Sequence, residues 1–130
     1  MITMGQYGKA AVLATQCYVQ GKFPSVREAW AFAISKFSER DSVRGKACPR
    51  RAYLGLCEAG RVSGIRAGNY GPKPNVNGQY AVDACQLLQS DPKLLTDKKA
   101  LWDRIEKRDA KNEQGQLDVV VTMWSAGLLH

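Results

Sequence analysis

The sequence predicts an all-α, compact single domain over residues 1–130, with five to six helices, a buried central helix and one long Gly/Pro/Asn-rich loop. Three observations predict it. Apolar residues recur with a 3.6-residue period in five segments and, more ambiguously, in a sixth. Capping residues open several of these segments, and Gly or Pro closes them. A length of 130 residues suits one core and no second domain.

The first helix is expected from about Met4 to Gln20, where Tyr7, Ala11, Ala14 and Tyr18 share a face with Ala10 and Cys17. Gly21-Lys22-Phe23-Pro24 stops it. Ser25-Val26-Arg27-Glu28 forms a capping box for the second helix. Its stripe of Val26, Ala29, Trp30, Ala33, Ile34 and Phe37 should carry it to about Ser38, with Trp30 and Phe37 as core anchors. Residues Glu39 to Ala47 are polar and basic and read as a loop.

Cys48-Pro49 opens the third helix, since proline in the first turn lacks only an amide that would be unpaired anyway. Ala52-Tyr53-Leu54-Gly55-Leu56-Cys57 is apolar on every side, the pattern of a helix buried all round. Gly55 costs about 1 kcal/mol relative to alanine inside a helix. A close helix crossing at that point would offset the cost. Gly60 ends the element. Arg61 to Gly78 is irregular and rich in Gly, Pro and Asn, with room for a β-bridge near Val62 or Ile65. Loops of this length are usually functional or flexible.

A fourth helix follows from about Gln79 to Gln89, and Ser90-Asp91-Pro92 breaks it. A short turn carries Leu94 and Leu95. Thr96 or Asp97 caps a fifth helix to about Asp109, with Leu101, Trp102 and Ile105 inward. In the last segment, Gly115 to Gly127, Val119-Val120-Val121-Thr122 favours a strand. Leu117, Val120, Val121, Trp124 and Leu128 keep helical spacing over several turns, and helix is the reading adopted.

Composition excludes whole classes. With 45% hydrophobic and 24% charged residues, the chain is neither disordered nor fibrous. No apolar run reaches the roughly 18–20 residues of a membrane helix. Met1-Ile2-Thr3-Met4-Gly5 has no charged region leading into an apolar one, so no secretory leader and a cytoplasmic setting are expected. Cys17, Cys48, Cys57 and Cys85 form no C-x-x-C pair and His130 is the one histidine, so no metal site, cofactor or disulfide is expected.

The net charge is +7, from 19 Lys and Arg against 12 Asp and Glu. Arg40 to Lys73 holds eight basic and two acidic residues, whereas Asp91 to Glu113 nearly balances at seven and six. Such a local field attracts anions, and it also serves solubility. Within it, Arg44-Gly45-Lys46-Ala47-Cys48-Pro49-Arg50-Arg51 is the sharpest feature. Arg50 and Arg51 stand at the positive end of a helix dipole, where cations are disfavoured unless an anion joins them. Arg44, Lys46, Arg50 and Arg51 are therefore the anion-binding candidates. The competing reading pairs Arg50 or Arg51 with Asp41 or Glu58. Cys48 is either a reactive thiol at a helix start or a structural one buried against Cys57 or Tyr53.

No G-x-S-x-G, H-E-x-x-H or G-x-x-x-x-G-K-[ST] motif occurs. A nucleophile paired with histidine would need His130, at a chain end of the kind that is often poorly ordered. No catalytic residue is assigned.

The run from Gly45 to Gly60, Gly-Lys-Ala-Cys-Pro-Arg-Arg-Ala-Tyr-Leu-Gly-Leu-Cys-Glu-Ala-Gly, resembles the central motif of a family of small uncharacterised bacterial proteins. The likeness extends to Gly64-Ile65-Arg66-Ala67-Gly68-Asn69-Tyr70, Tyr80-Ala81-Val82-Asp83-Ala84, Leu117-Asp118-Val119-Val120 with Trp124, and the opening Tyr7-Gly8-Lys9-Ala10-Ala11. It is also similar to products of mobile integron gene cassettes. The resemblance implies a helical cytoplasmic domain and carries over no catalytic residue.

Two functions follow as expectations. The first is a non-enzymatic binding protein whose basic central segment holds an anionic partner, either nucleic acid or an acidic protein. The alternative is a small-molecule binder or enzyme with its pocket at the Gly/Asn-rich loop, using Arg66, Asn69 and Tyr70.

Overall fold

The computed structural model describes residues 5–106 and 112–130. Residues 1–4, which hold most of the leader test and the start of the predicted first helix at Met4, and the end of the predicted fifth helix beyond 106, lie outside them. The elements in order are α1 (Gln6–Val19), α2 (Val26–Ser35), α3 (Asp41–Arg44), α4 (Ala47–Glu58), α5 (Val76–Ser90), a 3-10 turn (Pro92–Thr96), α6 (Lys98–Arg104) and α7 (Gln116–Ser125). The described residues contain helices and no strand, only an isolated antiparallel bridge between Val62 and Leu129. Val62 is one of the two positions where the sequence suggests a bridge.

α4 lies across α5, α1 across α2, and α7 packs on α1, α4 and α5. The predicted third helix is α4, and Ala52 to Cys57 are all buried, as a helix apolar on every side requires. α7 is buried just as completely, from Gln116 through Met123. The valines that favour a strand therefore sit in a helix, because the environment there is apolar all round and tertiary packing overrides a weak local preference. The centre of the protein is a pair of buried helices.

The crossing of α4 and α5 is made backbone to backbone. A Cβ placed on Gly55 would overlap the Cα of Gly78, and one on Gly78 would come within 2.8 Å of the Gly55 Cα. Each helix accepts a glycine so that the two axes can close on each other. Next to the crossing, Tyr53 stacks on Trp30 with ring centroids 5.5 Å apart. The Thr15 hydroxyl donates to the Ala11 carbonyl at 2.9 Å, which leaves it to accept from the Tyr53 hydroxyl at 2.8 Å. The fully buried phenol is thereby satisfied.

Several expectations need correction. The stretch from Glu39 to Ala47 is not all loop, since α3 adds a turn at Asp41–Arg44. α2 ends at Ser35, so Phe37 falls beyond the stripe and is 38% exposed, not a core anchor. α5 starts at Val76 because Asn75 caps it, its side chain accepting from the Gly78 amide at 2.9 Å. Asp97 caps α6 through the Ala100 amide at 3.0 Å, but the helix stops at Arg104, where Ile105 turns extended. Ile105 is still buried, with Leu101 and Trp102. Ser25 caps α2 as expected, accepting from the Glu28 amide at 3.1 Å.

Candidate anion-binding site

The predicted basic segment contributes α3, the link to α4 and the first turns of α4. These elements separate its cations. Arg44, the last residue of α3, is exposed and donates through Nε to the Ser38 carbonyl at 2.8 Å. Arg50 is half-buried and reaches back to the Gly45 carbonyl at 3.5 Å. Both line an open concavity of about 520 Å³, together with Arg27 from α2. Trp30 forms part of its wall, and the indole Nε1 is buried without a hydrogen-bond partner. Glu28 also lines it, yet among the described residues no carboxylate is within ion-pair distance of Arg27, Arg44 or Arg50.

The other two predicted cations stand elsewhere. Lys46 lies over the Tyr7 ring, its Nζ 5.5 Å from the centroid. Arg51 follows Arg50 by about 100° around the helix. Its carbonyl accepts from the Asn75 side chain at 3.0 Å, and its Nε is buried with no partner. The competing ion pairs do not form among the described residues, because Glu58 is taken by Lys73 at 3.0 Å. Arg27 is the member that sequence reasoning missed. It lies in the capping box of α2, and no spacing in the chain connects it to Arg44 or Arg50.

The Gly/Asn-rich loop is organised by Glu58, at the end of α4. Its side chain is 7% exposed, and it accepts from the Tyr70 amide at 2.9 Å besides pairing with Lys73. The Glu58 carbonyl takes the Gly68 amide at 3.1 Å. The Tyr70 hydroxyl donates to the Arg66 carbonyl at 2.6 Å, so Tyr70 and Arg66 stabilise the loop against itself. Asn69 is exposed on the rim of a second open concavity of about 500 Å³, which Glu58, Lys73, Asn75 and Gln79 also line.

Burial pushes the Glu58 carboxyl up, but hydrogen bonds from the Tyr70 amide and the charge of Lys73 outweigh it and leave the group below its ordinary value of 4.5. The unfolded chain therefore holds this proton more tightly than the folded one. Glu58 stabilises fully above about 4.5, and that contribution is lost as the pH falls through the lower folded value. Glu58→Gln should accordingly flatten the acid limb of a melting-temperature profile below about pH 5. A profile identical to wild type would remove Glu58 as the acid-sensitive anchor.

The buried phenol and thiol of α4 are not activated nucleophiles. Burial pushes the Cys57 thiol up to about 12, and Tyr53 is raised as well, chiefly by burial, so neither reacts near neutral pH. Cys48 is half-buried at the start of α4. The His130 backbone is tied down, contrary to the expectation for a chain end: its amide donates to the Arg61 carbonyl at 3.0 Å, and Arg61 Nη1 donates back to its oxygen at 3.3 Å. Among the described residues no three His, Cys, Asp or Glu side chains gather as metal ligands, and no helix is long and apolar enough to cross a membrane.

Fold and surface together define a small all-helical domain with two buried central helices and an arginine-lined concavity. The chain belongs to a family of unknown function, DUF6979, whose family model matches residues 4–130. No curated protein and no solved structure matches it.

Proposed function

We propose that this chain is a non-enzymatic binding module that holds an anionic partner, with nucleic-acid phosphates as the ligand chemistry. The observation that carries this reading is the grouping of Arg27, Arg44 and Arg50, from three different elements, around one concavity, with no carboxylate paired to them among the described residues. Guanidinium groups stay charged at every physiological pH and offer a planar fork of donors that matches phosphate oxygens. Their mutual repulsion falls when an anion sits between them. The net charge of +7 would speed the encounter with a polyanion. The bacterial, cytoplasmic and cassette-borne setting belongs to the same proposal and rests on the motif resemblance.

The test is fluorescence anisotropy of a labelled single-stranded oligonucleotide across a salt series. Three phosphate contacts predict an affinity loss of about 20-fold between 50 and 200 mM salt. Arg44→Ala with Arg50→Ala should abolish binding at unchanged helix content, whereas Arg51→Ala should have a much smaller effect. Absence of binding at low salt would overturn the nucleic-acid reading. Binding of polyglutamate in its place would identify an acidic polypeptide as the partner.

The alternative is a small-molecule binder or enzyme at the loop. It is favoured by the concavity at Asn69 and Gln79, which has the volume of a ligand pocket. Arg66 and Tyr70 contribute there by holding the loop in shape.

A further inference from the structure

The arginine concavity runs along the exposed side of α2 as far as Glu28 and Ala31. The next residue, Phe32, is also exposed. Residues 28 and 32 are neighbours one turn apart on the same side of a helix, so Phe32 stands beside the rim. Its ring leans toward the start of α2, because it meets Phe23, which precedes the Ser25 cap, with centroids 5.0 Å apart. Arg27 lies at that same end. Arg27 and Phe32 are about 7.5 Å apart along the helix axis, comparable with the span of one nucleotide.

The contact with Phe23, at an interplanar angle of 39°, holds the ring in place. Phe32 nevertheless remains 36% exposed. The Lys36 Nζ stands over the ring, 4.9 Å from its centroid. Lys36 is itself exposed, and no carboxylate pairs with it among the described residues. A ring that attracts a cation in this way presents a negative π-face, and the attraction is weak at an exposed site. A planar base can take the place of the ammonium, which the flexible lysine stem then carries to a phosphate.

Given the phosphate reading of the concavity, on which this step rests, we infer that the partner is single-stranded nucleic acid, its backbone held by Arg27, Arg44 and Arg50 and one base stacked on Phe32. A positively charged groove beside an exposed aromatic ring is the combination that binds single strands, since every base has a π-face to offer. A duplex can bring its phosphates to the arginines, but its bases are stacked on one another and give Phe32 nothing to meet. Glu28 adds direction. Its carboxylate, on the rim beside Phe32, repels phosphate and so keeps the backbone on the arginine side and the base on the ring.

The experiment is fluorescence anisotropy of the full chain at low salt with two labelled single-stranded DNA oligonucleotides of equal length. One carries bases and the other is built on abasic sites, so the phosphates are the same. The wild-type chain should bind the first at least about fivefold more tightly, the lower limit for one base stacked on an aromatic side chain. Phe32→Leu keeps an apolar contact with Phe23 but has no ring face. It should bring the first oligonucleotide down to the affinity of the second, with helix content and salt dependence unchanged, because the phosphate contacts are kept. Phe32→Tyr should bind as wild type does. Arg44→Ala with Arg50→Ala should remove binding of both oligonucleotides. Equal wild-type affinity for the two would overturn the stacked base and leave the phosphate reading standing, as would wild-type affinity in Phe32→Leu. Absence of binding by either oligonucleotide would overturn both.

Discussion

Gly55→Ala should lower the melting temperature by about 8 °C, and Gly55→Leu should leave no folded protein. The new methyl carbon would overlap the Gly78 Cα, and it would also crowd the Gly78 carbonyl carbon and oxygen. Backbone cannot rotate aside as a side chain does, so α4 and α5 must separate. Overpacking costs about 1–3 kcal/mol, and a backbone neighbour puts this site at the upper end. Alanine recovers about 1 kcal/mol of helix propensity. A net loss of about 2 kcal/mol corresponds to the stated shift in a domain of this size. The α4–α5 contact also positions the loop carrying Asn69, so the surviving Gly55→Ala fold should show altered chemical shifts at 68–79. A melt at or above wild type would show that the helices do not cross there.

Asp118→Ala should cost about 3 kcal/mol. The carboxylate is 9% exposed and accepts from the amides of Gly5 at 2.8 Å and Gly8 at 2.9 Å, with the Thr122 hydroxyl at 3.3 Å. α1 has no capping side chain of its own, since Gly5 is its N-cap. Asp118, in the first turn of α7, supplies the cap from the other end of the chain. Its charge thus faces the positive ends of two helix dipoles. Hydrogen bonds to an ionised group contribute about 1.5–3 kcal/mol each, and deletion also leaves two amides unpaired. Asp118→Asn should recover only part of this, because one oxygen becomes a donor facing donors. Urea unfolding would measure both. A change of less than about 0.5 kcal/mol, the level of an ordinary surface substitution, would refute the shared cap.

Gly5 and Gly8 acquire their reason from the same contact. A Cβ on Gly5 would lie 2.5 Å from the Asp118 Oδ2, and one on Gly8 would overlap the Thr122 side chain. In the sequence Gly8 stands out only as part of the opening Tyr7-Gly8-Lys9-Ala10-Ala11. Nothing near it announces a buried carboxylate more than a hundred residues away.

The helices other than α3 were legible, because their signals are local. Ser25 reaches a backbone amide three residues on, as Asp97 does, and the apolar stripes repeat within a turn or two. The buried character of α4 was readable from its composition, and Gly55 within it pointed to a close crossing. Boundaries failed where the deciding residue lay just outside the pattern. Asn75 caps α5 ahead of its apolar stripe, and Ile105 leaves the helical conformation while its side chain stays in the core.

By itself the sequence determined an all-helical domain, the position of its buried segment and the concentration of positive charge in the middle third. Each of these depends on neighbours in the chain or on a sum over residues. Only the tertiary structure decided that Arg27 joins Arg44 and Arg50 while Lys46 and Arg51 turn away, that Glu58 gathers the loop, and that Asp118 closes α1. The physical reason is distance along the chain. A hydrogen bond within one helical turn follows from residue type and spacing. A cap or a cluster made between separate elements follows from how whole helices pack, and at Gly55 and Gly78 that packing is set by two missing side chains.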